Sequence, residues 1–484
     1  MKVDRPGDPN DEPASPRAPD LSPDAAHPRH PSDDGIELAP EVDNTDVDDR
    51  DATAFDAIVD DDTTRAAPMS LASGTGAQPT GTSATQRTTT EGAFEEAAAA
   101  TGPRGMRAGS IESLKPAISP ADSLAAAMGG PDLAIVLSHY DFGIIRSIVP
   151  FNRGSERTPK LLIRADNGDF LLKCRSGIDA DTARVGFSHR VHRHLANRRF
   201  PVAPLIESRR SGRFAVLRER RVYELTSFLR GEPFDRSPSL CAESGRTLAQ
   251  FHRELLDLKT NWVPLAGTCH GVPELRQSVD EAVSWFIRRE RAAARRADAG
   301  VDPESTAPLY DDMRDLARVL ITRYQSAADS VSYEGFDTWP RTVVHADWHP
   351  GNLVFRGGQI LAVIDLDSVR LAPRVIDLAY GALQFSVRTQ GADPEAWPAG
   401  IDVERFQSFC RGYDTFADDF ILSRAEIRVL PALMIEYLIA ESMLNVMPSR
   451  RLDRSERLAF LRMIDRKTDW IEAQATTLHN LLDS

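Results

Sequence analysis

Apolar and polar positions alternate in short runs between residues 132 and 230, and from 239 onward apolar positions recur every three or four residues. The first pattern predicts strands at 143–149, 160–164, 169–174, 213–217 and 221–229. Asp166-Asn167-Gly168, between the second and third of these, is a hairpin turn signal, since such turns need left-handed backbone that Asn and Gly tolerate. One helix, 181–196, interrupts the strands, with Val185, Val191 and Leu195 among its apolar positions. A small antiparallel sheet with one helix is the expected product.

The second pattern begins with Leu240, Ser244, Leu248, Phe251, Leu255 and Leu258, which fall close to one face of a long helix. Further helical stretches are expected at 273–299, 309–330, 375–389, 403–417, 424–447 and 455–482, and strands return only around 342–364. The chain therefore reads as α+β. A strand-rich lobe at 129–232 precedes a helical lobe at 233–484.

Composition changes the picture at the N-terminus. Residues 1–128 are rich in Asp, Pro, Ser, Thr, Ala and Gly and poor in aromatics, too little apolar surface to offset chain entropy, so a disordered tail is expected. Residues 1–100 hold 22 Asp and Glu against 7 Lys and Arg, leaving 50 acidic and 51 basic residues for the rest, so the net charge of −14 belongs to the tail. A near-neutral remainder without interleaved aromatics argues against nucleic acid as a partner, and the basic run His189-Arg190-Val191-His192-Arg193-His194 is read as a solvated helix face. Cys174, Cys241, Cys269 and Cys410 lie far apart with no C-x-x-C pair, which suits a reducing compartment. With neither an apolar leader nor an uncharged run long enough to span a bilayer, a cytoplasmic protein with no membrane partner is expected.

The chemistry concentrates in one segment, from Thr342 to Asp365, with His345-Ala346-Asp347-Trp348-His349-Pro350-Gly351-Asn352 at its centre. Two apolar runs, 353–355 and 360–364, flank a Gly357-Gly358 turn, so Asn352 enters a hairpin and Asp365 leaves it at the same end. An amide oxygen beside a carboxylate suits Mg²⁺, which takes one or two protein oxygens and completes its shell with phosphate and water. Asp347, five residues before Asn352, is placed to accept a proton from an attacking hydroxyl. Two other interpretations compete: a local turn stabilised by Asp and Asn, and a hydrolytic metal site built from His345, Asp347 and His349. Asp367 is read as a cap for the following segment, Asp365 being the better ligand.

His345 to Asn352 resembles the catalytic loop of the aminoglycoside phosphotransferase and homoserine/choline kinase-like superfamily, and Val363-Ile364-Asp365 resembles its metal-binding segment. The similarity extends to Arg374-Val375-Ile376-Asp377-Leu378-Ala379 and Leu248-Ala249-Gln250-Phe251-His252, and spans about residues 135–450. The resemblance implies a two-lobed, protein-kinase-like fold and transfer of the ATP γ-phosphate to a hydroxyl of an amino alcohol, sugar or aminoglycoside-like molecule. It makes Asp347 the base, Asn352 and Asp365 the Mg²⁺ ligands, Lys173 the phosphate-binding lysine, and Ser227, Phe228 and Leu229 the adenine hinge. Asp377 would brace the loop, His252 would pack as a hydrogen-bonded core histidine, and Glu436 or Glu441 could receive an amine.

Two features depart from the family pattern. The strand lysine is usually held by a glutamate on the next helix, yet between Cys174 and Pro204 the only acids are Asp179 and Asp181, and Ser188, His189 or His192 occupies the matching place. The phosphate loop at 151–156 has the single glycine Gly154. The alternative function is accordingly a pseudokinase, a nucleotide-binding or scaffold module without turnover.

Overall fold

Strands form where the alternation is cleanest. In the computed structural model, which describes residues 130–151, 158–260, 268–272, 274–298, 307–390, 393–416, 421–447 and 452–482, they are β1 (Ile145–Pro150), β2 (Lys160–Ala165), β3 (Gly168–Arg175), β4 (Ala215–Arg218) and β5 (Arg221–Ser227). Each lies within two residues of its expected ends. They pair antiparallel in the order β1-β2-β3-β5-β4. The tail at 1–128 and the loop residues 152–156 lie outside the described residues.

Alternation gives the sheet two unlike faces. Leu161, Ile163, Phe170, Leu172, Cys174, Tyr223 and Leu225 bury one face against Val136 of a helix that the sequence patterns missed, α1 (Gly130–Leu137). Lys160, Lys173, Arg175 and Glu224 lie on the opposite face, Lys160 and Glu224 each directly across from Lys173. α2 (Thr182–Asn197) packs on that side, its first turn capped by Asp181, whose side chain accepts from the Ala183 N–H.

The helical lobe contains α3 (Pro238–Glu254), α4 (Leu275–Asp298), α5 (Ala307–Tyr333), α6 (Val375–Ser386), α7 (Val403–Asp414), α8 (Arg424–Glu441), α9 (Arg454–Ala473) and α10 (Ala475–Asn480). The stretch expected as one helix at 455–482 breaks at Gln474 into the last two. α3 and α7 touch backbone to backbone because each supplies a glycine. A Cβ on Gly245 would lie 1.9 Å from the Phe409 carbonyl oxygen, and one on Gly412 2.0 Å from that of Ala242. α8 and the π-helical turn after it (Ser442–Val446) are long and apolar enough to cross a membrane, but 83% of that window is buried inside the fold, as in a core helix.

Two small strand pairs sit between the lobes: β6 (Thr342–Val344) with β9 (Arg370–Ala372), and β7 (Leu353–Arg356) with β8 (Gln359–Val363). β9, three residues long, is too short for its alternation to stand out. The β7–β8 turn is formed by Gly357 and Gly358, with φ of 57° and 77°, the two positive values such a hairpin requires. This hairpin joins the lobes, since the Val363 N–H donates to the Pro201 carbonyl at 2.8 Å and the Glu232 N–H to that of Phe355 at 2.7 Å.

Candidate active site

The segment after β6 is held from below by α6. Asp377 is fully buried and accepts the backbone N–H of His345 at 2.6 Å and of Ala346 at 2.7 Å. These bonds pin a left-handed Ala346 (φ 60°), a conformation that a residue with a Cβ adopts only under such constraint. Behind Asp377 stands His252 of α3, with Nε2 2.9 Å from the carboxylate and Nδ1 2.8 Å from the Tyr413 hydroxyl of α7. Burial pushes His252 below its usual range and the Tyr413 phenol well above its own. A neutral ring follows, donating from Nε2 to Asp377 and accepting the Tyr413 proton at Nδ1. His252 is thus a packed, hydrogen-bonded core residue.

Asn352 ties three parts of the site together. Its Nδ2 donates to the Asp347 carbonyl at 2.9 Å and to Asp347 Oδ2 at 2.8 Å, which uses both amide protons and leaves Oδ1 as the side-chain atom for a cation. Its own carbonyl accepts the Ile364 N–H at 3.0 Å, so Asp365 is the next residue across the hairpin. Asp365 is left-handed as well, with φ 58° and ψ 65°, at the point where the chain turns out of β8. One amide oxygen and one carboxylate, both hard donors, fit a magnesium-type ion completed by phosphate oxygens.

Burial works to raise the Asp347 pKa, but His349, His345 and the Asn352 amide outweigh it and hold the carboxyl below the usual range. His349 Nε2 lies 3.6 Å from Asp347 Oδ1, and its Nδ1 accepts the Gly351 N–H at 3.1 Å. The alternating His345-Asp347-His349 metal site does not assemble. His345 turns its Nε2 to the Ile364 carbonyl at 3.3 Å, and among the described residues no three His, Cys, Asp or Glu side chains converge on a common point.

Lys173 reaches across from β3 into this cluster, with Nζ 2.9 Å from Asp365 Oδ1 and 2.5 Å from Asp367 Oδ2. Burial opposes its charge, yet the two carboxylates prevail and its pKa is raised. Asp367 is therefore more than a cap. Lys160, which the sequence patterns did not single out, lies beside Lys173 with Nζ 4.0 Å from Asp365 Oδ2, and its pKa is lowered by burial. The basic run on α2 is not one solvated face: Arg190 and Arg193 are exposed, whereas His189 is buried and bonds Glu224.

At the other end of β5 the three hinge positions are half-buried. The Ser227 N–H donates to the Pro204 carbonyl at 2.9 Å and the Phe228 N–H to that of Asp169 at 2.8 Å, while the Phe228 ring meets Phe151 edge-on at 5.6 Å. On the far side of Asp347 the two acids of α8 part company. Glu436 bonds His270 Nδ1 at 2.8 Å and lines a cavity of about 260 Å³ with Tyr324 and Asp337, to which no residue of 345–352 contributes. Glu441 accepts from the Thr268 hydroxyl and, at 2.7 Å, from Asn445 Nδ2. Burial pushes its carboxyl up to about 7, the charge of Asp347 adding to the effect. Next to it the rings of Tyr380 and Tyr437 are centred 3.5 Å apart.

A family model described as "Phosphotransferase enzyme family" matches residues 147–417. The homoserine kinase of Parvibaculum lavamentivorans is 25% identical over 239 residues, 48% of this chain and 63% of that protein. The homoserine kinase of Rhodopseudomonas palustris is 27% identical over 237 residues, 48% of this chain and 62% of that protein. The chain thus spans less than two thirds of the length of these curated relatives. Among solved structures, an aminoglycoside phosphotransferase from Alicyclobacillus acidocaldarius has a TM-score of 0.50 at 18% identity, covering 72% of this chain and 95% of that one. An amicoumacin kinase in complex with AMP-PNP, Ca²⁺ and Ami also has a TM-score of 0.50, at 13% identity over 72% of this chain and 96% of that one. At such identities the likeness is one of fold, a small antiparallel sheet lobe followed by a helical lobe.

Proposed function

The chain belongs to the phosphotransferase enzyme family, and from that premise we propose that it transfers the γ-phosphate of ATP to a hydroxyl of a small molecule. The observation that carries the proposal is the position of Asn352, whose amide protons bond Asp347 while its backbone carbonyl meets the residue before Asp365. In this reading Asp347 accepts the proton of the attacking hydroxyl, and Asn352 Oδ1 with Asp365 would hold Mg²⁺, which supplies charge neutralisation at the phosphates. Lys173 and Lys160 face the phosphates. Ser227, Phe228 and Leu229 would line the adenine site; the N–H groups of the first two are engaged within the protein, so Leu229 is the one whose N–H would meet the base.

Glu441 narrows the acceptor within the class of amino alcohols, sugars and aminoglycoside-like molecules. A buried carboxyl held by neutral donors, beside two aromatic rings and Asp347, suits an ammonium group carried near the hydroxyl. Buried, unpaired cysteines fit a reducing compartment, the cytoplasm in this reading.

Turnover of labelled Mg-ATP with a panel of amino alcohols, sugars and aminoglycosides tests the proposal. Asp347→Asn is expected to lower kcat by about 10²- to 10⁴-fold with the nucleotide affinity kept. Nucleotide-dependent thermal stabilisation without any Asp347-sensitive turnover would instead make the chain a binding module.

A further inference from the structure

The helix next to the strand lysine lacks the carboxylate of the family pattern, and the geometry supplies one from elsewhere. β3 places Lys173 and Arg175 two residues apart on one face, and its register with β5 places Glu224 on that same face, opposite Lys173. Arg175, only 2% exposed, lies between two carboxylates. Its Nη2 donates to Asp367 Oδ1 at 2.7 Å and its Nε to Asp367 Oδ2 at 3.3 Å. Nη1 and Nη2 each reach a Glu224 oxygen at 3.3 Å. From α2, His189 Nε2 bonds Glu224 Oε2, and Arg184 Nε donates to the Asp367 carbonyl at 3.0 Å.

A continuous chain results: α2, Glu224, Arg175, Asp367, Lys173. The Arg175 and Lys173 links are charge-assisted hydrogen bonds, stronger and more directional than neutral ones. Buried charges of this kind hold their places because removing one partner strands the next. The Glu224 carboxyl stays ionised against its burial because Arg175 and His189 face it. Asp367 sits two residues after Asp365 in a single 3₁₀ turn (Leu366–Ser368), and Lys173 bonds both carboxylates. The position of α2 is thereby passed to Lys173 without an acid on the helix.

We propose that Glu224, His189 and Arg175 are positioning residues that do from β5 what a helix carboxylate does in the family pattern, with Asp367 as the standing partner of Lys173. They set where Lys173 meets the nucleotide phosphates and touch no reacting atom themselves. The inference rests on the phosphotransferase reading of the site.

Steady-state kinetics on the full chain separate the two. Glu224→Gln is expected to raise the KM for ATP about tenfold, with the acceptor KM unchanged. Glu224→Gln combined with His189→Glu, which moves the carboxylate onto the helix, is expected to bring that KM back to within about threefold of wild type. A merely structural glutamate would lower Tm without this rescue. His189→Phe, which keeps a ring but removes the helix donor to Glu224, is measured in parallel and is expected to raise the same KM about threefold, so an insoluble Glu224→Gln leaves the question answerable. Folded variants whose KM for ATP stays within about twofold of wild type, or a double variant that folds without recovery, would overturn the positioning role. Absence of ATP turnover in the wild-type chain would overturn the phosphotransferase reading itself.

Discussion

The two lobes immobilise their parts of the site by opposite means. On the sheet side, Lys173 is held by a cluster of full charges in which Arg175 bridges Glu224 and Asp367. On the helical side, Asp377 grips the loop after Val344 through the backbone N–H groups of His345 and Ala346 and is backed by a neutral His252 and a protonated Tyr413. The difference follows what each must do. In the proposed reading Lys173 meets phosphates, so it has to remain a cation in a buried place, which nearby carboxylates permit. The loop that carries Asp347, the base in the proposed reading, needs direction, and backbone donors supply it with no long side chain to order.

Three substitutions break or sharpen that contrast. The largest effect is expected at Arg175→Met, which removes a buried cation and leaves Glu224 only His189 and Asp367 only Lys173 as charged partners. A loss of about 3–5 kcal/mol should appear as a lowered urea midpoint at pH 7. The loss should shrink in acid, because Glu224 and Asp367 both have depressed pKa values and lend their stability in full above the usual carboxylate range, losing it as pH falls below that range.

Glu441→Gln tests a buried acid whose hydrogen-bond donors, the Thr268 hydroxyl and the Asn445 amide, are neutral, with His349 near enough to offset only part of its burial. Its carboxyl is raised from 4.5 to about 7, so the folded state holds an extra proton between these values and wild-type stability falls as pH climbs through them. The amide variant should gain up to about 3 kcal/mol on wild type between pH 5 and pH 8. Tm measured at both pH values checks it, and equal differences at the two would refute the raised carboxyl. The smallest effect is expected at Tyr413→Phe, which removes one neutral donor from His252. Denaturant unfolding should show a cost of about 1 kcal/mol, nearly independent of pH between 6 and 8.

The candidate site could be proposed from the sequence because it is local. Asp347, Asn352 and Asp365 fall within one loop and one hairpin, and the Gly357-Gly358 turn returns the chain so that Ile364, the residue before Asp365, bonds the Asn352 carbonyl. The sheet strands were readable from alternation, and most helices from their apolar period. Elements that failed to register were short, like Arg370–Ala372, or sat at the edge of the low-complexity tail, like Gly130–Leu137. Breaks within long helical patterns, such as that at Gln474, were also hidden, since apolar period carries through a turn that only packing interrupts.

What the sequence determined by itself was the order of the elements and the placing of Asp347, Asn352 and Asp365 about one loop and hairpin, because turn chemistry and side-chain period act over a few residues. The partners of Lys173 were decided only in three dimensions. Asp365 and Asp367 lie 192 and 194 residues further along the chain, and Glu224 faces Lys173 through a strand register that no local pattern encodes. A buried charge is tolerated wherever the folded chain brings an opposite one to it. A helix without an acid was therefore no sign that the lysine stood alone.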